Sequence, residues 1–197
     1  MKTLFIILTS VCISHAALAQ SNVTTSYVVG FPAGDIGDFI GKTSWRGFSF
    51  DYRYIFKPNV AAGINIAWTT FYEELDYGTY TSENASLTGK QFRYSNHVPM
   101  VATLTYFADP DAPMNPFLSF GIGTMYSRRN TDMNFYTLEQ EAWNFLLQPE
   151  VGVQLNLGAG VAIAISGKYN YGFEAGSELP DAQSYFALNI GFAFFDY

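Results

Sequence analysis

The sequence predicts an all-β protein, an eight-stranded antiparallel up-and-down transmembrane β-barrel, from three observations. Large apolar residues alternate with small or polar ones in eight segments, and a two-residue period is typical of strands. The connections between these segments are alternately long and short. Charged residues make up only 14% of the chain, against about 25% in soluble domains. So few charges cover a water-exposed surface poorly, whereas a lipid-facing band does not need them.

Residues 1–19 are predicted to be a cleaved signal peptide, which leaves 20–197 as a single barrel domain. Lys2 gives a positive start, an apolar run follows over residues 4–13, and small residues at 17 and 19 form a cleavage pattern before Gln20. The run is shorter than the roughly 20 residues that a membrane-spanning helix needs, which disfavours a signal anchor. The one cysteine, Cys12, lies in this segment, so the rest of the chain has no disulfide framework.

The first four strands are predicted from one face rich in aromatic and branched residues and an opposite face of small or polar ones. They span residues 23–31, 45–56, 60–73 and 92–107. The outward residues are Phe48, Phe50, Tyr52, Tyr54 and Phe56 in strand two, Ala62, Ile64, Ile66, Trp68 and Tyr72 in strand three, and Met100, Ala102, Leu104 and Tyr106 in strand four.

The last four strands repeat this pattern over residues 117–126, 143–155, 161–171 and 184–197. Their outward residues include Leu118, Phe120 and Ile122 in strand five, Phe145, Leu147 and Val151 in strand six, Val161, Ile163 and Ile165 in strand seven, and Phe186, Leu188, Ile190, Phe192 and Phe194 in strand eight. Pro99 and Pro149 lie inside predicted strands without the N–H that a ladder needs, so we expect β-bulges there or strands that begin nearer the membrane.

The connections support a membrane topology. Long connections at 33–44, 75–91, 127–142 and 172–183 alternate with short ones, and the strand count is even. Long extracellular loops and short periplasmic turns are typical of transmembrane barrels. We therefore expect strand one to pair with strand eight and both chain ends to lie on the short-turn side. Aromatic residues near the strand ends match the girdles of such barrels: Trp45, Tyr72, Tyr126, Trp143 and Tyr171 on the loop side, and Phe56, Tyr106 and Phe194 on the turn side.

The chain resembles the small outer-membrane barrels of the OmpA/OmpX type, especially the barrel-only porin-family proteins of Bacteroidetes. The resemblance rests on the signal, the hairpin spacing, segments 117–123 and 149–152, and the aromatic Tyr197 that closes the last strand. It implies the Gram-negative outer membrane, contacts with lipid and lipopolysaccharide, and insertion by the barrel-assembly machinery through the C-terminal strand. The structural alternative is a secreted lipocalin-like barrel. It is disfavoured because Gly and Ala dominate the polar face, which suits a narrow lumen better than a solvated surface.

Four charged residues, Asp51, Arg53, Glu150 and Lys168, are predicted to point into the lumen as an ion-pair network. An eight-stranded barrel is only wide enough for side chains to fill it, and unpaired charges there are costly. A gated proton or ion path through these residues is the alternative.

The turn at residues 156–160 predicts the partner of Lys168. Centring it near Gly158 places Glu150 opposite Ser166, with Lys168 as the diagonal neighbour of Glu150. We therefore expect the Lys168 ammonium within about 4 Å of a lumenal carboxylate, most favourably that of Glu150.

Catalysis is not predicted. His97 is the only histidine after residue 19, and Ser95 lies two residues before it on the same strand face. That spacing suggests a separation of about 7 Å, too far for direct proton transfer at about 3 Å. No acidic orienting residue is identifiable, so we predict no enzyme, cofactor or metal centre.

The four long connections, together with Glu73 and Glu74 at a loop mouth, contain twelve acidic residues and four basic ones. This excess disfavours nucleic-acid binding and leaves two interpretations, simple solvation of the loops or binding of divalent cations such as Ca²⁺. The predicted function is a non-enzymatic, filled barrel, favoured as a monomer, that acts in envelope integrity or in surface interactions through its loops. The alternative is a narrow transporter for small or hydrophobic molecules, as a resemblance to the OmpW type would imply.

Overall fold

The computed structural model describes residues 20–82, 85–110, 112–133 and 136–196 and shows a closed antiparallel barrel of eight strands. Each strand pairs with the next, and the first pairs with the last, so the predicted fold class, strand count and closure are confirmed. The predicted signal peptide and Tyr197 lie outside the described residues. The elements are β1 (Gln20–Ala33), α1 (Gly34–Phe39), β2 (Gly47–Lys57), β3 (Val60–Ser82), β4 (Ala85–Phe107), β5 (Met114–Met133), β6 (Tyr136–Gly158), β7 (Val161–Gly172) and β8 (Gln183–Asp196).

The two faces of the wall have opposite chemistry, as the alternation predicts. Outward residues such as Leu104 and Leu118 are about three-fifths exposed, while Asn65 and Gln154 on the inner face are fully buried. An outward apolar band of this extent is far larger than soluble monomers expose, and it matches the lipid-facing band of a transmembrane barrel. The lipocalin-like alternative, with its apolar face inward, is wrong. In the described part of the chain, no helix has the length and apolar character needed to cross a bilayer.

Six strands are longer than predicted, and β3, β4, β5 and β6 exceed their predicted lengths the most. β3, β4 and β6 have 23 residues each, and β5 has 20. The predicted loops at 75–91 and 127–142 are instead largely paired hairpins, in which Leu75 pairs with Gln91 and Arg128 with Glu141. The outer face of these extensions meets water instead of lipid beyond the membrane, so their hydropathy does not alternate and the strand signal is lost. Residues 83, 84, 134 and 135 lie outside the described part.

The expected bulges at the two prolines are wrong. Pro99 pairs in register with Met125, and Pro149 with Phe120. On the other side of each proline the ladder lacks two pairs and then resumes in the same register. The missing N–H therefore interrupts pairing with one neighbour without inserting a residue. The register shifts instead lie at Ile55/Lys57, Leu75/Gly78 and Asn156/Gly158.

The interior is layered along the barrel axis. On the short-turn side, Ser21 pairs with Asp196 and Gln20 with Ile55, so both described ends lie where predicted. Two small apolar clusters line this side: Ala61, Phe107 and Phe117, and Ala162, Ala164 and Ala193. A larger cluster fills the loop side: Val28, Ile36, Ile40, Phe71, Val101, Met125, Leu146, Tyr185 and Ala187. Between these layers lie polar and charged side chains.

Candidate functional site

The centre of the lumen holds the four charged residues that the sequence predicts there. Asp51 and Arg53 are two residues apart on β2 and therefore share its inner face, while Glu150 and Lys168 lie on β6 and β7. All four side chains are at most 4% exposed. The structure thus brings together one pair from β2 and one pair from the opposite side of the barrel.

The four groups form a closed ring of alternating sign. Arg53 Nη2 lies 2.8 Å from Glu150 Oε2 and 3.3 Å from Asp51 Oδ1. Lys168 Nζ lies 3.0 Å from Asp51 Oδ2 and 3.9 Å from Glu150 Oε1. Two cations and two anions leave no net charge, and each cation contacts both anions. This mutual pairing offsets the cost of taking four charges out of water.

The Lys168 ammonium lies within about 4 Å of lumenal carboxylates, as predicted, and Glu150 at 3.9 Å is one of them. The predicted register and the choice of Glu150 as the closest partner are wrong. Glu150 pairs directly with Lys168, not with Ser166, because the turn is formed by Ala159 and Gly160 and is not centred near Gly158. Leu157, an extra residue between the pairs of Asn156 and Gly158, then moves the partner of Glu150 from Tyr169 to Lys168. The closest carboxylate to Lys168 is that of Asp51, at 3.0 Å. Glu150 is the more distant partner because its carboxylate receives the Arg53 guanidinium.

Neutral and aromatic side chains contact the charged ring from outside it. Asn65 Nδ2 donates to Ser49 Oγ at 2.8 Å, and Ser49 Oγ donates to Asp51 Oδ2 at 3.3 Å. The Arg53 guanidinium lies 4.8 Å from the centre of the Phe117 ring, in a cation–π contact. These contacts fix the ring to β2, β3 and β5 and leave Arg53 little freedom to move.

A second buried polar group lies on the loop side of the charged ring. His97 is fully buried, with Nε2 2.9 Å from Ser95 Oγ and Nδ1 3.2 Å from Ser127 Oγ. The predicted separation of Ser95 and His97 is therefore wrong, since their side chains lean towards each other along the strand. The ring centres of Phe71 and Tyr185 lie 5.8 and 5.5 Å from that of His97.

This histidine has the contacts of a packed core residue. Both of its ring nitrogens bond hydroxyl groups, and the described residues supply no carboxylate partner to orient it as a catalytic base would require. The neighbouring apolar cluster, which includes Ile36 and Ile40, separates it from the extracellular side.

Helix α1 closes the extracellular mouth, which the sequence interpretation missed. Ile36 and Ile40 point into the barrel and are fully buried, and Phe39 packs against them. The guanidinium carbons of Arg93 and Arg129 lie 4.9 and 4.3 Å from the centre of the Phe39 ring. The apolar spacing of residues 36, 39 and 40, one helical face, is the signal that could have found this plug.

Two arginines of the barrel wall, Arg93 on β4 and Arg129 on β5, hold the plug in place. Arg93 Nη1 donates to the Phe39 carbonyl at 2.9 Å, and Arg129 Nη1 lies 3.2 Å from Asp181 Oδ2. Burial lowers the pKa of Arg129, and the Asp181 carboxylate opposes that shift. The buried guanidinium of Arg129 thus contacts both Asp181, which lies in a loop, and Phe39, which lies in the helix.

Acidic residues of the hairpins are held by local partners. Lys90 Nζ lies 2.6 Å from Glu74 Oε1, and Arg128 forms an ion pair with Glu139. These hydrogen bonds raise the pKa of both Lys90 and Arg128. Within the described ranges, no group of three or more His, Cys, Asp or Glu side chains is arranged to hold a metal ion. That part of the protein therefore contains no preassembled calcium cage.

Comparisons with known proteins give matches among solved structures only. No family model and no curated protein matches the sequence. Among solved structures, the outer membrane protein OprG of Pseudomonas aeruginosa is similar with a TM-score of 0.57 at 12% identity, over 91% of this chain and 96% of that one. A second similar structure is Ail, the attachment invasion locus protein of Yersinia pestis, in complex with the heparin analogue sucrose octasulfate. Its TM-score is 0.51 at 14% identity, over 90% of this chain and 97% of that one. The outer membrane protease OmpT of Escherichia coli has a TM-score of 0.54 at 8% identity, over 90% of this chain and 96% of that one.

At these identities the likeness concerns the fold, which is that of the small outer-membrane β-barrels. Together with the outward apolar band, it makes this protein an outer-membrane barrel. One of the similar structures is a protease, so the fold by itself does not define an activity. The role has to be argued from the lumen and the extracellular rim.

Proposed function

We propose that this protein is a non-enzymatic outer-membrane barrel with a filled lumen, and that its extracellular strands make surface contacts that support the envelope. The observation that carries this proposal is the closed ring of Asp51, Arg53, Glu150 and Lys168 across the lumen. A ring of mutually paired charges occupies the one route that a solute would take through the barrel.

The layers on both sides of the ring support a closed interior. Large side chains that are fully buried, including Tyr185, Phe71 and Met125, occupy the loop side above it. Ile36 from α1 and Ile40, the residue directly after the helix, add to this layer at the mouth. A solute would have to displace an apolar plug and then separate four ion pairs, which are costly to leave uncompensated.

The extended strands support the surface role. β4, β5 and β6 remain paired far beyond the outer aromatic residues, up to the pair of Met133 and Tyr136. Tyr77 on the extension of β3, and Tyr136 and Leu138 on that of β6, are at least three-fifths exposed. Aromatic residues of this kind provide much of the energy at protein interfaces. The acidic excess of the loops favours a basic or neutral partner over a sulfated polyanion such as the one bound to Ail.

Conductance separates this proposal from a narrow transporter. Protein refolded in detergent and inserted into planar bilayers is expected to show no steady single-channel current. A known porin inserted in the same way serves as the control for detection. Steady or solute-dependent currents through the wild-type barrel would refute the closed lumen and favour transport.

A further inference from the structure

The outer wall at the extracellular rim carries a cleft between the end of the first loop and β3. Its volume is about 290 Å³. It is lined by Thr43, Ser44, Trp45, Arg46, Thr70 and Tyr72. Trp45 is two-thirds exposed and belongs, with Tyr72, to the aromatic residues that mark the membrane interface. The cleft therefore faces the headgroup layer of the outer leaflet.

The backbone that presents Arg46 is fixed in place. Ser44 exchanges two backbone hydrogen bonds of 2.8 Å with Gly30, and its hydroxyl donates to the Thr70 carbonyl at 2.5 Å. Arg46 N donates to Ser44 Oγ at 3.2 Å, and Thr70 N donates to the Arg46 carbonyl at 3.0 Å. The Tyr27 hydroxyl also donates to the Trp45 carbonyl. A ligand at this cleft would therefore meet a preorganised backbone, which lowers the entropic cost of binding.

The charge at this cleft is uncompensated. Lys90, Arg128 and Arg129 at the same rim each pair with a carboxylate, whereas Arg46 forms no ion pair among the described residues. Its guanidinium lies 5.7 Å from the centre of the Tyr72 ring, and its side chain is exposed.

The carboxylates nearest in sequence are engaged elsewhere. Glu74, two residues beyond Tyr72, binds Lys90 at 2.6 Å, and Glu73 Oε2 accepts the Gly41 N–H at 2.9 Å. The guanidinium of Arg46 is therefore available to an external anion.

We propose that this cleft binds a phosphate group on the headgroup of an outer-leaflet glycolipid, with Arg46 as the ligand of the phosphate. A guanidinium presents paired N–H donors that match phosphate oxygens, and the aromatic rings of Trp45 and Tyr72 suit the adjoining sugar and acyl boundary. The lipid is favoured over a free anion because the cleft opens on the lipid-facing wall. This inference rests on the membrane placement of the barrel. It does not depend on the closed lumen or on the contacts proposed for the loops.

The test is lipid binding by native mass spectrometry on protein refolded in detergent, with bisphosphorylated lipid A as the probe. The affinity of R46Q is expected to fall about tenfold or more, as for the loss of a charged hydrogen bond. R128Q, which removes an exposed arginine already paired with Glu139, should bind as the wild type does. R46K, which keeps the charge but not the paired donors, should fall between them. Loss of heat-induced gel mobility shift identifies any preparation that has not folded.

Two further probes identify the source of the anion. Chemically dephosphorylated lipid A should bind the wild type and R46Q equally, and inorganic phosphate should not displace the lipid. Equal affinities of wild type and R46Q for the phosphorylated lipid, or an equal loss in R128Q, would overturn the site. Wild-type affinity in R46K would overturn the paired-donor contact, and displacement by inorganic phosphate at comparable affinity would overturn the lipid as ligand. A conducting barrel that still binds lipid A through Arg46 would refute only the closed lumen.

Discussion

Removing Arg53 should destabilise the barrel more than any other change in the charged ring. Arg53 contacts Glu150 at 2.8 Å and Asp51 at 3.3 Å, and its guanidinium lies against the Phe117 ring. The variant R53M has a side chain of similar length but leaves two carboxylates facing a single ammonium, that of Lys168. The buried interior then carries an uncompensated negative charge.

The expected loss in the free energy of unfolding is about 3–5 kcal/mol, the range measured when one partner of a buried ion pair is removed. E150Q leaves Arg53 with Asp51 at 3.3 Å and should cost less, about 1–3 kcal/mol. In the double variant R53M/E150Q the Lys168–Asp51 pair at 3.0 Å remains, and the lumen is neutral again. The double variant should therefore be more stable than the sum of the single losses predicts, by about 1–3 kcal/mol.

Equilibrium unfolding in urea, in lipid vesicles or detergent, measures these values. Trp45, Trp68 and Trp143 face outward and are more than half exposed on the barrel wall, so their fluorescence reports transfer from lipid to water. R128M, which breaks the exposed pair with Glu139, is the control and should leave the unfolding midpoint unchanged. A loss below about 1 kcal/mol for R53M, or strictly additive losses in the double variant, would refute the reasoning.

Two further predictions concern the extracellular side. Replacing the buried Ile36 with Asp should release α1 from the mouth without unfolding the barrel. Trypsin should then cleave at Lys42 faster than in the wild type or in D38N, a control at an exposed residue. Equal cleavage rates would contradict the plug. The pattern of protease cleavage in the hairpins of whole cells should be the same with Ca²⁺ as with a chelator, because Glu74 and Glu139 already have cationic partners. Protection from cleavage by calcium alone would show a cation site in the loops.

The faces of the strands could be predicted from the sequence because a membrane barrel imposes one rule on every strand. One face must meet lipid and the other must fit a narrow lumen, so Asp51, Arg53, Glu150 and Lys168 have only one acceptable direction. The same rule fails outside the bilayer, where the outer face meets water instead of lipid and residues 75–91 and 127–142 give no strand signal.

The partners inside the lumen could not be predicted in the same way. The register of β6 and β7 depends on Leu157 becoming an extra residue in a turn where Gly158, Ala159 and Gly160 all have positive φ, a backbone choice that alternation does not encode. Helix α1 spans only six residues, too few for a helical period to be distinguished from a loop.

The charged ring links local pairing to closure of the whole barrel. In an open sheet Lys168 can reach Glu150, its direct cross-strand neighbour, but the pair of Asp51 and Arg53 on β2 lies several strands away in the order of the sheet. Only when β1 pairs with β8 do the two sides meet, so that Lys168 contacts Asp51 and Arg53 contacts Glu150. Before that step each pair is already neutral, and closure adds the two shortest cross-lumen contacts. The ring therefore favours the closed eight-stranded form over an open or misregistered sheet, because a shift of one residue in β2 would turn Asp51 and Arg53 towards lipid.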